Sequence, residues 1–316
     1  RKVLLSEITS SIVSEVAIKH EKPVDDVLRS VELARQSLVP KTKPFTVTEF
    51  GSSREIAVTR DGVGPLVTHL GKFHHFAFSL DDKWQKYSVL MMCAIDEHFN
   101  PVFKNRHELL LRIDSGCETG QLFGDLTCDC RDQLFLSMRH IRDLGEGMII
   151  NIPRQDGRGR GLPFKLATLR LQADLGVDTV SSSALLDPNG SRDTRTYAGV
   201  VAILKFLNIP STTTLHIESN SPMKNTVFPE NGYLSSDLRP VVIAPTDFTR
   251  PHLQAKQDAF GHRNLVSVER EGITRRENWA WRDRIARGIQ EYQTQVCSGL
   301  DPIQTIWFDK YQASQN

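Results

Sequence analysis

The stretch DQLFLSMRHIRDLGEGMIINI, residues 132–152, decides the fold class. Leu134, Met138 and Ile141 recur at helical spacing, and Gly145 suits the left-handed end of a helix. The apolar run 148–152 that follows has the length of a buried strand. A helix joined to a buried strand is typical of a sheet covered by helices, with ligands bound beyond the strand ends.

The pattern continues in both directions from this stretch. Downstream, it predicts a helix at 162–175, a short strand at 178–181, a helix at 197–207 and a strand at 215–219, with a terminal helix at 269–292. Upstream, residues 45–113 are mostly β, and residues 1–42 are helical. We therefore predict an α/β (α+β) fold, in which a mixed sheet is covered by helices and carries helical N- and C-terminal extensions.

Composition and charge exclude several function classes. The chain has 316 residues, of which 39% are hydrophobic and 24% charged, as in ordinary globular proteins. Lys and Arg number 39 against 38 Asp and Glu, so no overall charge favours nucleic acid or a membrane surface. No apolar run approaches the roughly 20 residues of a membrane span, and no secretory leader is evident. Five cysteines, unevenly placed, fit a reducing, cytoplasmic location.

Three of these cysteines form the first chemical signal, in RIDSGCETGQLFGDLTCDC, residues 112–130. A disulfide between Cys128 and Cys130 is difficult to close, so Cys117, Cys128 and Cys130 are better explained as ligands of a soft metal, by default zinc. No fourth ligand lies at a familiar spacing, which leaves one position for water, as in catalytic zinc sites. The alternative is that all three are ordinary thiols.

The second signal is the loop RQDGRGRG, residues 154–161, between a predicted strand and a predicted helix. Its glycines let backbone amides approach an anion, and its three guanidiniums, with Lys165 and Arg170, could bind phosphate. Such loops also occur as plain solvated turns. A third signal, Asp193 and Arg195 before the helix at 197–207, could be only a helix cap and a surface charge.

Taken together, these segments resemble the GTP cyclohydrolase II family over about residues 108–265. RIDSGCETGQLFGDLTCDCRDQL resembles the family's zinc segment, NIPRQDGRGRGLPFKL its Arg-Gln-Glu-Gly-Arg loop and SRDTRTYAGVVAILKFLNI its Asp-x-Arg helix. SNSPMKN resembles its Thr-Asn-Asn-Pro-x-Lys turn, and HLQAKQDAFGH its closing Lys…Gly-His segment. The resemblance implies a catalytic domain at 43–265, between a helical extension at 1–42 and another at 266–316.

The resemblance also implies residue roles. It makes Cys117, Cys128 and Cys130 the Zn²⁺ ligands, Arg195 the nucleophile that takes the nucleotidyl group, and Asp193 its proton acceptor. The residues implied to bind the nucleotide are Arg112, Gln133, Asp156, Arg158, Thr179, Ser219 and Lys224. Mg²⁺ could accompany the nucleotide phosphates. The implied assembly is a homodimer, with neither nucleic acid nor membrane as a partner.

Three departures from the family pattern lie where the family reads guanine. Gly116 and Leu169 stand where the family has Glu and Tyr, and Asp156 shortens the loop Glu. A pocket without a carboxylate leaves guanine N–H groups unpaired, at a cost of roughly 1–3 kcal/mol each. Asp114, two residues before Gly116, could restore the carboxylate, because alternate residues of an extended segment share a face.

These departures and the long N-terminal extension resemble the family's uracil-catabolism branch. The main prediction is therefore a zinc-dependent cyclohydrolase that opens the base ring of a uracil nucleotide such as UMP or UTP. The alternative is a true GTP cyclohydrolase II, which releases formate and pyrophosphate. A second alternative is a zinc- and nucleotide-binding regulator without turnover, against which the intact Asp193 and Arg195 argue.

Overall fold

The computed structural model describes residues 10–263, apart from 82–85, 106, 188, 190, 191 and 235. Its centre is an eight-stranded mixed sheet with strand order β1-β2-β3-β4-β8-β7-β9-β10. The strands are β1 (Lys41–Glu49), β2 (Ser52–Thr68), β3 (Gly71–Leu80), β4 (Lys86–Met92), β7 (Glu108–Ser115), β8 (Gly147–Ile152), β9 (Thr214–Glu218) and β10 (Ser236–Arg239). A separate pair joins β5 (Ala94–Ile95) to β6 (Pro101–Val102).

The sheet has two parts with different strand directions. Strands β1 to β4 are antiparallel to their neighbours, and β4 also pairs antiparallel with β8. Strands β8, β7, β9 and β10 run parallel, so their carboxyl ends meet at one edge. Because parallel strands need crossover connections, helices lie in the chain between β7 and β8 and between β8 and β9.

Helices cover the sheet. They are α1 (Ser10–Lys19), α2 (Val24–Ser37), α3 (Glu118–Phe123), α4 (Cys130–Leu144), α5 (Leu162–Leu175), α6 (Thr179–Leu186), α7 (Ala198–Phe206) and α8 (Arg250–Phe260), with short 3₁₀ helices at Asp156–Gly159, Pro222–Asn225 and Pro229–Asn231. In the part of the chain that the structure describes, no helix is both long and apolar enough to span a bilayer.

The two faces of the sheet carry two apolar clusters. Helix α7 is apolar on nearly every side and is buried in the larger cluster, where it contacts β1 and β2. Helix α4 is amphipathic: Met138 and Ile141 pack with Leu110 and Ile149 in the smaller cluster on the other face. Gly145 ends α4 at φ 84°, the left-handed conformation that its glycine permits.

The predicted fold class is confirmed: a mixed sheet is flanked by helices, and 45–113 is largely β. The predicted strand at 178–181 is wrong, because those residues form the cap and first turn of α6. The Asp178 carboxylate accepts hydrogen bonds from the Val180 and Ser181 amides, which stabilises a helix start. Helices α1 and α2 precede β1, which begins at Lys41. The predicted helix at 269–292 and the extension at 266–316 lie outside the described residues.

A candidate active site at the carboxyl ends of the parallel strands

Three neighbouring parallel strands place the chemistry-bearing segments at one edge of the sheet. Strand β7 ends at Ser115, two residues before Cys117. Strand β8 ends at Ile152, directly before the Gly/Arg loop, and β9 ends at Glu218, directly before Ser219. Segments far apart in sequence therefore meet at the position where open α/β sheets bind ligands.

The three cysteines converge. Their sulfur atoms lie within 4.8 Å of one another, and they form the one such metal-ligating group found among the described residues. Cys117 and Cys128 are buried with their Sγ atoms 3.9 Å apart, and no disulfide joins them. Hydrogen bonds from the Cys128 and Cys130 thiols lower the pKa of Cys117, and thiolates are the form that binds metals. Three soft ligands at this spacing fit zinc.

Gly120 of α3 leaves the space that the sulfurs occupy. A Cβ at this position would lie 2.5 Å from the Cys128 Sγ and 3.2 Å from the Cys117 Sγ. The backbone of α3 therefore approaches the thiols more closely than any residue with a side chain would permit. This close approach supports a built ligand set rather than three unrelated thiols.

Lys165 of α5 balances the charge of this cluster. Its Nζ lies 3.0 Å from the Cys117 Sγ and 3.3 Å from the Asp156 Oδ1. Burial by itself would lower the pKa of Lys165, but the charge and the hydrogen bond of Cys117 raise it above its usual value. Lys165 is therefore a cation beside the Cys117 thiolate.

Asp193 and Arg195 form a close ion pair. The Arg195 Nε donates to both carboxylate oxygens of Asp193, at 2.8 and 3.0 Å. Helix α7 starts at Ala198, and the amides of Tyr197 and Ala198 donate to the Glu49 carboxylate, so the interpretation of Asp193 as the cap of this helix is wrong. Burial alone would lower the pKa of Arg195, but Tyr197 and the Asp193 carboxylate raise it. The guanidinium is therefore protonated at rest.

Two adjoining cavities form a cleft around Arg195. The first contains the cysteines and is also lined by Asp156, Arg158, Leu169 and Thr179. The second is lined by Arg112, Gln133, Ser219 and Lys224. Ser115, Cys130 and Arg195 border both cavities. The structure thus brings together all of the predicted site residues, with Asp193 held against Arg195.

Hydrogen bonds fix several of these side chains. Arg112 donates to Asp114 at 3.1 Å and to Gln133 at 3.2 Å. Arg158 donates to the carbonyl of Thr179 at 2.9 Å, while burial and the nearby Arg195 lower the pKa of Arg158 to about 10. The Lys224 Nζ donates to a backbone carbonyl of β7 at 2.6 Å and is buried. The side chains around the cleft are therefore held before any ligand arrives.

Of the three guanidiniums in the predicted phosphate loop, the structure brings one to the cleft. Arg158 lines the first cavity, whereas Arg160 pairs with Asp187, and Arg154 is exposed and lines neither cavity. Arg170, also expected to extend the charge, is exposed and pairs with Asp174. These partners lie outside the loop, so the loop sequence alone did not show which guanidinium would face the cleft.

The departures from the family pattern have structural consequences. Gly116 donates its N–H to the Ile152 carbonyl at 2.8 Å, and a Cβ on Gly116 would lie 2.7 Å from that oxygen. The backbone here therefore has no room for a side chain. The buried Asp114 accepts hydrogen bonds from Arg112, Gln121 and Asn151, so its oxygens are already engaged.

Sequence reasoning missed other groups in the cleft. The Gln155 Oε1 and the Asp129 Oδ1 are buried without a hydrogen-bond partner in the described part of the chain, one beside each cavity. Lys256 and His262, from α8 and the residues after it, border both cavities. Burial, with Lys256 and Arg195, lowers the pKa of His262 to about 3. The HLQAKQDAFGH resemblance pointed to this segment without giving it a role.

Comparisons with known proteins identify the family of the chain. Residues 61–232, more than half of the chain, match the family model described as GTP cyclohydrolase II, which makes the protein a hydrolase of the cyclohydrolase class. The GTP cyclohydrolase-2 of Picrophilus torridus is 32% identical over 197 residues, which cover 62% of this chain and 94% of that protein. The chain belongs to the GTP cyclohydrolase II family.

Other relatives extend the comparison. The GTP cyclohydrolase-2 of Campylobacter hominis is 35% identical over 200 residues, 63% of this chain and 92% of that protein. The riboflavin biosynthesis protein RibBA of Endomicrobium trichonymphae is 35% identical over 163 residues, which cover 51% of this chain but 38% of RibBA. By their names, these relatives favour the GTP alternative and give no support to the uracil-nucleotide prediction.

Proposed function

We propose that the protein is a zinc-dependent cyclohydrolase whose substrate is GTP. The observation that carries this proposal is the shared cleft: Cys130 and Arg195 both border the two cavities, so metal chemistry and nucleotidyl transfer can act on one bound molecule. Relatives named GTP cyclohydrolase-2 support GTP over a uracil nucleotide. The riboflavin pathway named for RibBA is a proposal on the same basis.

The two cavities suit different parts of GTP. The second cavity offers Arg112, Lys224 and the hydroxyl of Ser219, which suit phosphates. The first cavity offers the apolar Leu169 beside the cysteines, which suits the base. The unpartnered Gln155 Oε1 can accept a guanine N–H, and it supplies an acceptor that Gly116 cannot carry. This acceptor removes part of the penalty that the sequence predicted against guanine.

The Asp193–Arg195 pair can perform the nucleotidyl transfer. A guanidinium nitrogen of Arg195 attacks the α-phosphorus, an N–P bond forms, and the P–O bond to the β-phosphate breaks, releasing diphosphate. The proton that the guanidinium loses passes to the Asp193 carboxylate, which lies 2.8 Å from the Arg195 Nε. Asp193 is suited to this step because it is buried with Arg195 as its partner.

Cys117, Cys128 and Cys130 would hold the zinc next to the base. When bound, zinc supplies a Lewis acid that activates water for hydrolysis of the ring. Lys165 compensates part of the negative charge of the three thiolates. Leu169, Cys130 and Arg158 line the first cavity, so they would contact a base bound there.

Turnover of defined nucleotides tests this proposal. The zinc-loaded protein is incubated, with and without Mg²⁺, with GTP, UTP and UMP, and formate, diphosphate and base absorbance are measured. We expect formate and diphosphate from GTP and no change in the uracil absorbance. Loss of the uracil absorbance with GTP untouched would restore the first hypothesis. Binding of zinc and GTP without turnover would favour the regulator.

The covalent role of Arg195 gives a sharper test. Arg195→Lys keeps the charge but moves the nitrogen, so we expect diphosphate release from GTP to fall by orders of magnitude. Asp193→Asn should act similarly, because it removes the proton acceptor. An Arg195→Lys enzyme with near-normal kcat would show that Arg195 only binds phosphate. The predicted homodimer is tested separately, by the mass of the protein in solution.

A further inference from the structure

Helix α8 reaches the cleft from beyond the residues that match the family model, which end at 232. Leu253 is buried, and α8 packs against α6. At the end of α8, the ring of Phe260 lies 5.0 Å from the guanidinium carbon of Arg158. The Arg263 amide then donates to the Asn220 carbonyl at 3.1 Å. Contacts with cleft residues therefore fix the position of α8.

Lys256 is the cation that α8 brings to the cleft. It borders both cavities, as does Arg195. Most of the neighbouring cations have a carboxylate partner: Arg195 has Asp193, Arg112 has Asp114 and Lys165 has Asp156. Lys256 has no carboxylate within ion-pair distance in the described part of the chain. Among the described residues, nothing thus compensates its charge at the place where the two cavities meet.

The surroundings of Lys256 decide which part of a nucleotide it can meet. The Asp193 carboxylate is turned to Arg195 through several hydrogen bonds and does not neutralise Lys256. A compact ammonium without a partner suits a phosphate oxygen, whereas a neutral base offers it no charge. The phosphate attacked by Arg195 must lie beside Arg195, and Lys256 borders the same space.

We propose that Lys256 binds the phosphates of the substrate at the point of transfer and stabilises the diphosphate leaving group. The inference rests on the proposed function. As the N–P bond to Arg195 forms, the P–O bond to the β-phosphate breaks, and its electron pair stays on the departing diphosphate oxygen. The Lys256 ammonium stabilises that developing charge without giving up a proton. Lys256 is in this sense a further catalytic residue, supplied by the segment after the matched residues.

The test separates a phosphate contact from a packing role. Lys256→Met and Lys256→Arg are compared with Lys72→Met, which removes an exposed lysine of β3 and serves as the matched control. Affinities are measured for guanosine, which has no phosphate, and for a GTP analogue whose α–β bridge is methylene. Zinc content and thermal unfolding establish that each variant is folded; if Lys256→Met is not, Lys256→Gln replaces it.

We expect Lys256→Met to weaken binding of the analogue at least about tenfold, to leave guanosine binding unchanged and to slow diphosphate release from GTP. Lys256→Arg should restore part of the loss. Equal losses for guanosine and the analogue, or no loss relative to Lys72→Met, would overturn the inference. A wild-type protein that neither binds the analogue nor consumes GTP would instead contradict the proposed function, so the two failures are distinguishable.

Discussion

The close approach of Gly120 to the cysteines predicts a measurable effect of one methyl group. In Gly120→Ala the new Cβ would lie 2.5 Å from the Cys128 Sγ, whereas nonbonded heavy atoms pack best at about 3.5–4.0 Å. The sulfur must therefore move by roughly 1 Å. Metal–ligand distances tolerate only about 0.2 Å, so the three sulfurs can no longer converge as they do in the wild type.

The size of the effect follows from overpacking. Extra methyl groups in well-packed sites cost about 1–3 kcal/mol, which corresponds to a roughly 5- to 150-fold loss of zinc affinity if metal binding bears the strain. Gly120 lies within α3 and has no left-handed φ, so alanine would otherwise favour the helix by about 1 kcal/mol. Weaker zinc binding in a variant with better helix propensity can therefore be attributed to the contact with sulfur.

Competition with a chromogenic chelator measures the zinc affinity, and the sulfur-to-metal charge-transfer band of the cobalt-loaded protein reports the geometry. Gly64→Ala is the matched control, because a Cβ on Gly64 would meet no atom within 4 Å. We expect Gly64→Ala to bind zinc like the wild type. A Gly120→Ala protein with wild-type affinity and an unchanged cobalt spectrum would refute the reasoning, because the sulfurs would then not be confined by α3.

Three further predictions follow from other contacts. Gly116→Ala should lower the free energy of unfolding by about 1–3 kcal/mol in urea, because its Cβ would lie 2.7 Å from the Ile152 carbonyl oxygen; a variant as stable as the wild type would contradict this. Asp178→Ala should cost about 1 kcal/mol by removing the cap of α6, and should raise KM for GTP because α6 carries Thr179. Burial lowers the pKa of His262 to about 3 in the folded protein, whereas its ordinary pKa is about 6.5. At pH values between these two, the unfolded protein therefore binds a proton at His262 that the folded protein does not. Stability should fall as the pH decreases from about 6.5 to 3, and His262→Gln should reduce that slope in urea titrations at several pH values.

The sequence predicted the site best where the chemistry follows directly after a strand. Cys117 and Ser219 each lie within two residues of the end of a parallel strand, where the strand pattern predicted ligand binding, although Ser219 itself was implied only by the family resemblance. The short spacing of Asp193 and Arg195 drew attention to them, but their roles as a pair were implied only by the family resemblance. Sequence patterns can predict a pair of site residues when the two residues lie close together in the chain.

Contacts between residues far apart in the sequence determine the features of the site that the sequence did not predict. Whether Arg158 or Arg160 faces the cleft depends on Asp187 and Thr179, which lie more than twenty residues away. Lys165 reaches Cys117 across 48 residues. The prediction of a strand at 178–181 is wrong because a short segment of mixed apolar and polar residues fits either a strand or a helix. Here the capping carboxylate of Asp178 stabilises the helix.

The three cysteines lie close together in the sequence, and this affects the order in which parts of the site can form during synthesis. All three cysteines lie between positions 117 and 130, whereas the residues that line the cleft come from segments between Arg112 and His262. On the ribosome, the complete thiol set emerges before Arg195, Lys224 and Lys256 have been translated. Under the proposed function, the nascent chain could therefore bind zinc early, whereas it could hold a nucleotide only once α8 has docked.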